Sequence, residues 1–472
     1  MAKSFQEAPR TSFRLPFGLG FTDPLKADQY DSENLVVGRT SFASEPSAIY
    51  LGKLAEFEQM RRNVWLDCHG AHAVYIVGKR RSGKSYTLGV VCEGLVSDSW
   101  LRLGQPEQAV LLLDTLNIYG TFHVASAEGA GGSSDRALWQ LPNHVVRVRY
   151  VAPEVTRPMI AAESTRLTVD PAWLTLEDWC GFFDIDPFAD PLGHLLAVVL
   201  EAARQRWNDV SARSDENNSG IGEMVDAIDR HRDAGPFENS TKDALKRRLR
   251  AVERLSFLSR RSPSVETLLT AGMITVCQLR DLDDRLRALI VAVLVREIIR
   301  SRARADATSR LAAARAGLQS DASESAAQVG GGLPRCWIAI DEAHNYLPSS
   351  GSLPSRPVIR RLITEGRNIG LSVIVATQQP SGLDSSIQRN ADALLVHSMS
   401  MRDDITAAEG MLNALVPESA TWGTSEKAAG RVFEKVVRAL PQGYCLVSTD
   451  TANRVFGLRL RPRLTMHGGE SY

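Results

Sequence analysis

The chain has 472 residues, 55 basic against 55 acidic side chains and a pI near 7.1. No global field therefore recruits nucleic acid, and any such binding must come from local patches or from a ring of subunits. A hydrophobic share of 44% and a charged share of 23% are ordinary for a soluble globular protein, and the length suits one large α/β domain with insertions or two to three smaller ones. The six cysteines (Cys68, Cys92, Cys180, Cys277, Cys336, Cys445) form no C-x-x-C pair, which fits reduced thiols in the cytoplasm and argues against a zinc site. The first residues carry no apolar signal core, and the longest apolar helical stretch, Ala288 to Val295, is too short to cross a bilayer. A soluble, cytoplasmic protein with no membrane contact is expected.

Residues 1–60 hold Pro, Gly and Asp punctuation around short β-like runs such as Asn34 to Gly38, and read as an N-terminal β-rich segment or arm. A core then begins near Trp65. Ala73-Val74-Tyr75-Ile76-Val77 reads as a buried strand, Tyr86 to Leu95 as a helix, and between them lies Gly78-Lys79-Arg80-Arg81-Ser82-Gly83-Lys84-Ser85. This is the G-x-x-x-x-G-K-S pattern of a phosphate-binding loop, at the strand-to-helix bend where backbone N–H groups and a helix N-terminus favour an anion. Residues 78–86, closing with Tyr86, are expected to hold the nucleotide, ATP; Lys84 would reach its β and γ phosphates and Ser85 would take one Mg²⁺ position.

Further along, Ala109 to Asp114 reads as a strand whose terminal Asp114 either joins the metal shell or caps the next turn. Ala125 to Asp135 is a Gly- and Ser-rich loop, and Val145 to Val151 another strand. These complete a first part of the core, 61–170. From Asp170 to Arg261 the pattern turns helical and charged, giving a helical insertion over 171–270. Within it, Leu245, Leu249, Val252 and Leu255 recur at helical spacing from Lys242 to Arg261, with Lys246, Arg247, Arg248, Arg250, Arg254, Arg260 and Arg261 on other faces. That basic helix is either a solvated face or a surface for phosphate backbones or an acidic partner.

The second part of the core, 271–472, opens with a strand at Met273 to Leu279 and a long helix from Leu282 to Arg304. Ala305 to Gly332 is Ala-, Ser- and Gly-rich and reads as a helix extension and linker. Cys336 to Ile340 is an apolar run ending in Asp341-Glu342-Ala343-His344. Two carboxylates at the tip of a buried strand are costly unless a cation or substrate uses them. Beside a phosphate loop they read as the Mg²⁺-shell aspartate, Asp341, and a base or water positioner, Glu342; the alternative is an acidic start to the next helix. Leu371 to Ala376 is a further strand, and its tip Thr377-Gln378-Gln379-Pro380 would bring Gln378 to the same crevice, unless it is simply a polar loop closed by proline. Ala393 to His397, Tyr444 to Ser448 and Val455 to Leu460 read as the last strands. The fold class is α/β, a RecA-like P-loop NTPase core of the additional-strand, catalytic-glutamate (ASCE) type with a mostly parallel sheet.

Three stretches together resemble the HerA/FtsK superfamily of hexameric DNA-pumping ATPases, the HerA branch in particular. They are His72 to Thr87, Asp341 through Ile359-Arg360-Arg361-Leu362-Ile363-Thr364-Glu365-Gly366-Arg367-Asn368-Ile369-Gly370 to Ser381, and the tail Leu460 to Gly469. The resemblance implies a homo-oligomeric ring, a hexamer, that translocates DNA as a helicase and holds ATP and Mg²⁺ between subunits. It implies that Arg367 is an arginine finger acting in trans, with pairing to Glu365 as the alternative, and that the tail is a C-terminal brace. It also implies an effector partner, a nuclease or an NAD-consuming enzyme, in DNA end processing or anti-phage (antiviral) defence. A ring that gates a partner enzyme without moving DNA is the rival reading. Three features depart from the family pattern: Arg80 and Arg81 stand where small residues and glycine are usual, Asp114-Thr115-Leu116-Asn117-Ile118-Tyr119 stands where relatives read D-P-H-G-E-Y, and the N-terminal region is shorter and less clear than the β-barrel expected of HerA relatives.

Overall fold

The computed structural model describes residues 33–468 apart from 39–46, 56–61, 98–100, 104–107, 127–138, 140, 142–144, 154–163, 209–218, 256, 318–332, 352, 385–389, 413–425 and 452–454. The expected loop at Ala125 to Asp135, most of the linker before Gly332 and the last tail residue Gly469 thus lie largely or wholly outside the described residues.

Short apolar runs that are contiguous rather than alternating make strands buried on both faces, as central parallel strands are. Here β4 (Ala73–Val77), β6 (Ala109–Asp114), β9 (Ile274–Gln278), β10 (Cys336–Ile340), β11 (Leu371–Thr377) and β12 (Ala393–Val396) are buried throughout. With β7 (Val148–Ala152) and β8 (Ser164–Arg166) they lie in the order β12-β4-β11-β10-β6-β9-β7-β8, every neighbouring pair parallel. Antiparallel strands continue the sheet beyond β12: β13 (Tyr444–Thr449), β14 (Phe456–Leu460), β2 (Ala48–Leu54) and β3 (Asn63–Asp67), with β1 (Asn34–Val37) parallel on β3 and β5 (Arg102–Leu103) on β2. Strands from the region read as an N-terminal β-rich segment therefore hydrogen-bond into the same sheet. The whole is a mixed, mostly parallel α/β sheet of RecA-like type.

The two-residue strand period sorts side chains into two cores. Tyr75, Val77, Leu111, Leu113, Ile338, Ile340, Val373 and Val375 face the larger one, shared with the helices of the insertion and with helices Asp284–Gly317 and Ser355–Glu365. Val74, Ile76, Val110, Leu112, Trp337, Ala339, Ile374 and Ala376 face the other, against α1 (Lys84–Val96). One strand, β11, lies between the phosphate-loop strand β4 and the Asp-Glu strand β10. It follows both in sequence.

Helices Leu176–Phe183, Pro191–Trp207, Ile221–Arg230 and Asn239–Glu253 form the insertion between β8 and β9. Asp178, in a capping box with Thr175, also receives both terminal nitrogens of Arg296 from the long helix, the Nη2–Oδ1 distance being 2.8 Å. That pair ties the insertion to the core. The basic helix stops at Glu253, not Arg261. Arg260 is buried, paired with Asp170 and 5.3 Å above the Trp207 ring, so it belongs to the core rather than to an outer basic face. The long helix runs to Gly317, well past Arg304.

Candidate functional site

Five strands of the parallel set end at one edge, and each contributes polar groups there. Gly78 follows β4, Asp114 closes β6, Asp341 follows β10, Thr377 closes β11 and His397 follows β12. Carboxyl edges of open parallel sheets are where ligands bind.

The phosphate loop turns from Gly78 into α1, which starts at Lys84 with no side-chain cap; its N-cap residue, Gly83, has φ 107°. Uncapped first-turn N–H groups need a partner, and an anion is the partner that also suits the helix dipole. The Lys84 ammonium is buried and donates to the Lys79 carbonyl at 2.9 Å. Burial lowers its pKa, with Glu342 and Asp341 pulling the other way. Lys79, Arg80 and Arg81 are exposed. Arg81 adopts φ 61°, a left-handed conformation that glycine takes at no steric cost. Arg81→Gly is therefore expected to be more stable than Arg81→Ala by ~1 kcal/mol in urea unfolding, the reverse of the usual glycine–alanine order. Equal stabilities, or alanine ahead, would show that this conformation costs nothing.

Ser85 donates to Asp341 Oδ2 at 3.2 Å, and Tyr119 Oη donates to the same oxygen at 3.1 Å. Burial, then Glu342 and Asp114, raise the Asp341 carboxyl to about 7, against the pull of Lys84 and Tyr119. A hydroxyl and a carboxylate oxygen converging beside a lysine are the hard donors that suit Mg²⁺, which takes one or two protein oxygens and completes its shell with phosphate and water. Among the described residues no group of three His, Cys, Asp or Glu side chains could hold a metal by itself. Asp114 does not point into this shell. It accepts the N–H groups of Ile118 (3.1 Å) and Tyr119 (3.0 Å), so it caps the turn that places Tyr119.

Glu342 is buried and non-glycine at φ 52°, a conformation costing about 1–3 kcal/mol that persists where the surroundings over-determine it. Its Oε1 accepts from Gln378 Nε2, and its Oε2 makes no hydrogen bond, with His344 Nδ1 3.5 Å away. His344 Nδ1 is also 3.2 Å from the Thr377 hydroxyl. A buried carboxylate with one orphan oxygen is equipped to accept a proton or hold a water.

The structure thus brings Lys84, Ser85, Asp341, Glu342 and Gln378 together. It places Tyr86 differently, because the phenol turns to the C-terminal tail, where Tyr86 Oη accepts the Arg463 N–H at 2.7 Å and the ring meets His467 edge-on. Arg367 stands in the turn Gly366–Ile369 and pairs with Asp392, while Glu365 pairs with Arg361. Asp392 in turn exchanges hydrogen bonds with Ala73, the first residue of β4. Arg367 is therefore at the edge of the sheet opposite its own phosphate loop. The tail is buried against α1 of its own chain, with Arg461, Arg463, Leu464 and Thr465 inaccessible. Sequence reasoning gave no role to Tyr119, His344 or His397; a polar residue directly after an apolar strand was a usable signal for His397.

Solved structures similar to this one include VirB4 of Thermoanaerobacter pseudethanolicus (13% identity, TM-score 0.48, covering 89% of this chain and 98% of that one). The bacterial plasmid coupling protein TrwB in complex with ADP and Mg²⁺ follows at 11% identity and TM-score 0.47, covering 84% and 86%. The genome packaging NTPase B204 from Sulfolobus turreted icosahedral virus 2, in complex with ATP-γS, aligns at 10% identity and TM-score 0.32 over 83% and 98%. No curated protein matches. Residues 49–298, which include the phosphate loop, match the family described as Helicase HerA, central domain; since that is more than half of the chain, the protein belongs to this family.

Proposed function

We propose that the protein is an ATPase of HerA type, a cytoplasmic homo-oligomer, in its full form a hexamer, that couples hydrolysis to movement of DNA. The observation that supports this best is the meeting of Lys84, Ser85, Asp341, Glu342 and Gln378 at one sheet edge. Loop N–H groups and Lys84 bind and orient the β and γ phosphates. Ser85 and Asp341 would hold Mg²⁺, which neutralises phosphate charge when bound. Glu342 takes the proton of the attacking water through its unpartnered Oε2, and the Gln378 amide fixes the carboxylate in that orientation.

Arg367 cannot serve its own site from the opposite edge. Its side chain is 56% exposed, which suits insertion into a neighbour's site, where a guanidinium stabilises charge developing on the γ-phosphate. In this reading the core is divided into 61–170 and 271–472 around the insertion 171–270, and the pairing of β9 with β6 supports that division. A nuclease or NAD-consuming effector partner follows from the family resemblance.

The test is phosphate release from Mg-ATP with and without double-stranded DNA. Stimulation by DNA is expected. Turnover indifferent to DNA, together with ATP-dependent activation of a co-purified enzyme, would replace the motor by an ATP-gated platform.

A further inference from the structure

His397 lies under the phosphate loop and has no part in the chemistry above. It follows β12, whose Val396 is in register with Val77 of β4. The ladder continues past the strand ends: His397 N–H donates to the Val77 carbonyl at 2.8 Å, and Lys79 N–H donates to the Ser398 carbonyl at 2.8 Å. Gly78 is held between these two bonds. A Cβ at Gly78 would come within 2.6 Å of the His397 Cβ and 2.7 Å of the Ser82 hydroxyl, and one at Gly83 would be 3.6 Å from the imidazole. Both glycines that frame the loop thus face His397, Gly78 its Cβ and backbone and Gly83 its ring, and only a residue without a side chain allows the approach at Gly78.

The ring is inaccessible to solvent. Its Nε2 is 2.9 Å from the Thr87 hydroxyl, which is 3.1 Å from the Gly83 carbonyl. A hydroxyl has one proton, and the carbonyl can only accept it, so the imidazole donates from Nε2 and the chain of bonds runs His397 to Thr87 to Gly83. Burial, and then the nearby Lys84 ammonium, push the imidazole pKa down to about 3, so the ring stays neutral.

We propose that His397 is a positioning residue for nucleotide binding: its Cβ and backbone lie against Gly78, and its imidazole sets the curvature of residues 78–83 by packing on Gly83 and fixing that residue through Thr87. The proposal rests on the nucleotide reading of the loop. Preorganised loop N–H groups bind phosphate without first being ordered, so loss of the wedge should appear in affinity. A merely structural histidine would instead lower the melting temperature and leave affinity intact wherever the protein is folded.

Mg-ATP binding is measured at a temperature where circular dichroism shows each variant folded. His397→Ala is expected to weaken binding ~10-fold or more, and Thr87→Val ~3- to 10-fold. His397→Gln, whose amide can still donate to Thr87, should remain within about 3-fold of the parent. The double variant H397A/T87V should bind no more weakly than H397A, because the two groups act as one unit. Parental affinity in folded His397→Ala, or additive losses in the double variant, overturns the proposal. Should His397→Ala not fold, Thr87→Val decides: a loss of affinity supports the proposal and parental affinity overturns it. Failure of the unsubstituted protein to bind Mg-ATP overturns the nucleotide reading and this proposal with it.

Discussion

Glu342→Gln is expected to lower ATP turnover by about 10²- to 10⁴-fold while leaving nucleotide binding intact. The substitution keeps the shape of the side chain and a partner for Gln378, and removes the lone pair that would take a proton at Oε2. Glu342 occupies a left-handed conformation at φ 52°, and Gln would meet the same backbone cost, so the change isolates the proton acceptor. Single-turnover phosphate release beside equilibrium binding of ATP separates the two effects. Near-parental turnover would move the base elsewhere, with His344 next in reach of the same crevice.

The second large effect concerns stability. Glu93 of α1 is fully buried between Arg461 and Arg463, themselves 0% and 1% exposed. Its oxygens accept from Arg461 Nη1 (3.1 Å), Arg463 Nε (3.2 Å), the N–H groups of Leu464 (3.0 Å) and Thr465 (3.1 Å), and the Thr465 hydroxyl (2.5 Å). The Arg463 guanidinium also lies 4.5 Å over the Phe122 ring. Removing the one carboxylate leaves two buried guanidinium charges facing each other. Glu93→Ala is expected to cost about 3–5 kcal/mol, read as a shift of the urea midpoint.

Burial alone would raise the Glu93 carboxyl, but Arg463, Arg461, Thr465 and the Leu464 N–H outweigh it and hold it below the ordinary glutamate range. A carboxyl depressed in the folded state binds fewer protons than in the unfolded chain. Its stabilisation is therefore complete above the unfolded glutamate pKa and is lost as pH falls through the lower folded value. Unfolding midpoints that do not move over that acid range, in the parent relative to Glu93→Ala, would count against this assignment. Because α1 also carries Lys84 and Ser85, the same cluster fixes the helix on which the nucleotide residues are mounted.

Much of this arrangement was legible in residues. The central strands β4, β6, β10 and β11 are apolar runs tipped by a polar residue, a pattern produced by burial on both faces followed by exit at the ligand edge. β2 was hidden because Gly52 and a buried Lys53 interrupt its apolar run. Helix Ser355–Glu365 was hidden by Pro357 and its charged face, although Val358, Ile359, Leu362 and Ile363 are buried at helical spacing. Arg260 looked like one more exposed cation, since nothing local reveals that Asp170, ninety positions away, is its partner. Tyr119 and His397 act through tertiary neighbours, so their places in the chain, at the end of the Asp114 to Tyr119 stretch and after an apolar strand, do not show what they touch. Arg367 was legible as a motif position; what the sequence could not show is its distance from its own loop, which turns on the strand order.

A subunit exchange experiment bears most directly on the claim that one subunit's site is completed by the next. Lys84→Ala subunits are expected to hold no productive ATP yet still present Arg367, and Arg367→Ala subunits to hold ATP yet present no guanidinium. Each alone should release no phosphate. Mixed in equal amounts in a head-to-tail ring, about one interface in four pairs an intact loop with an intact arginine, and phosphate release should return in that proportion. Mixed assemblies that form and remain inactive would contradict the account.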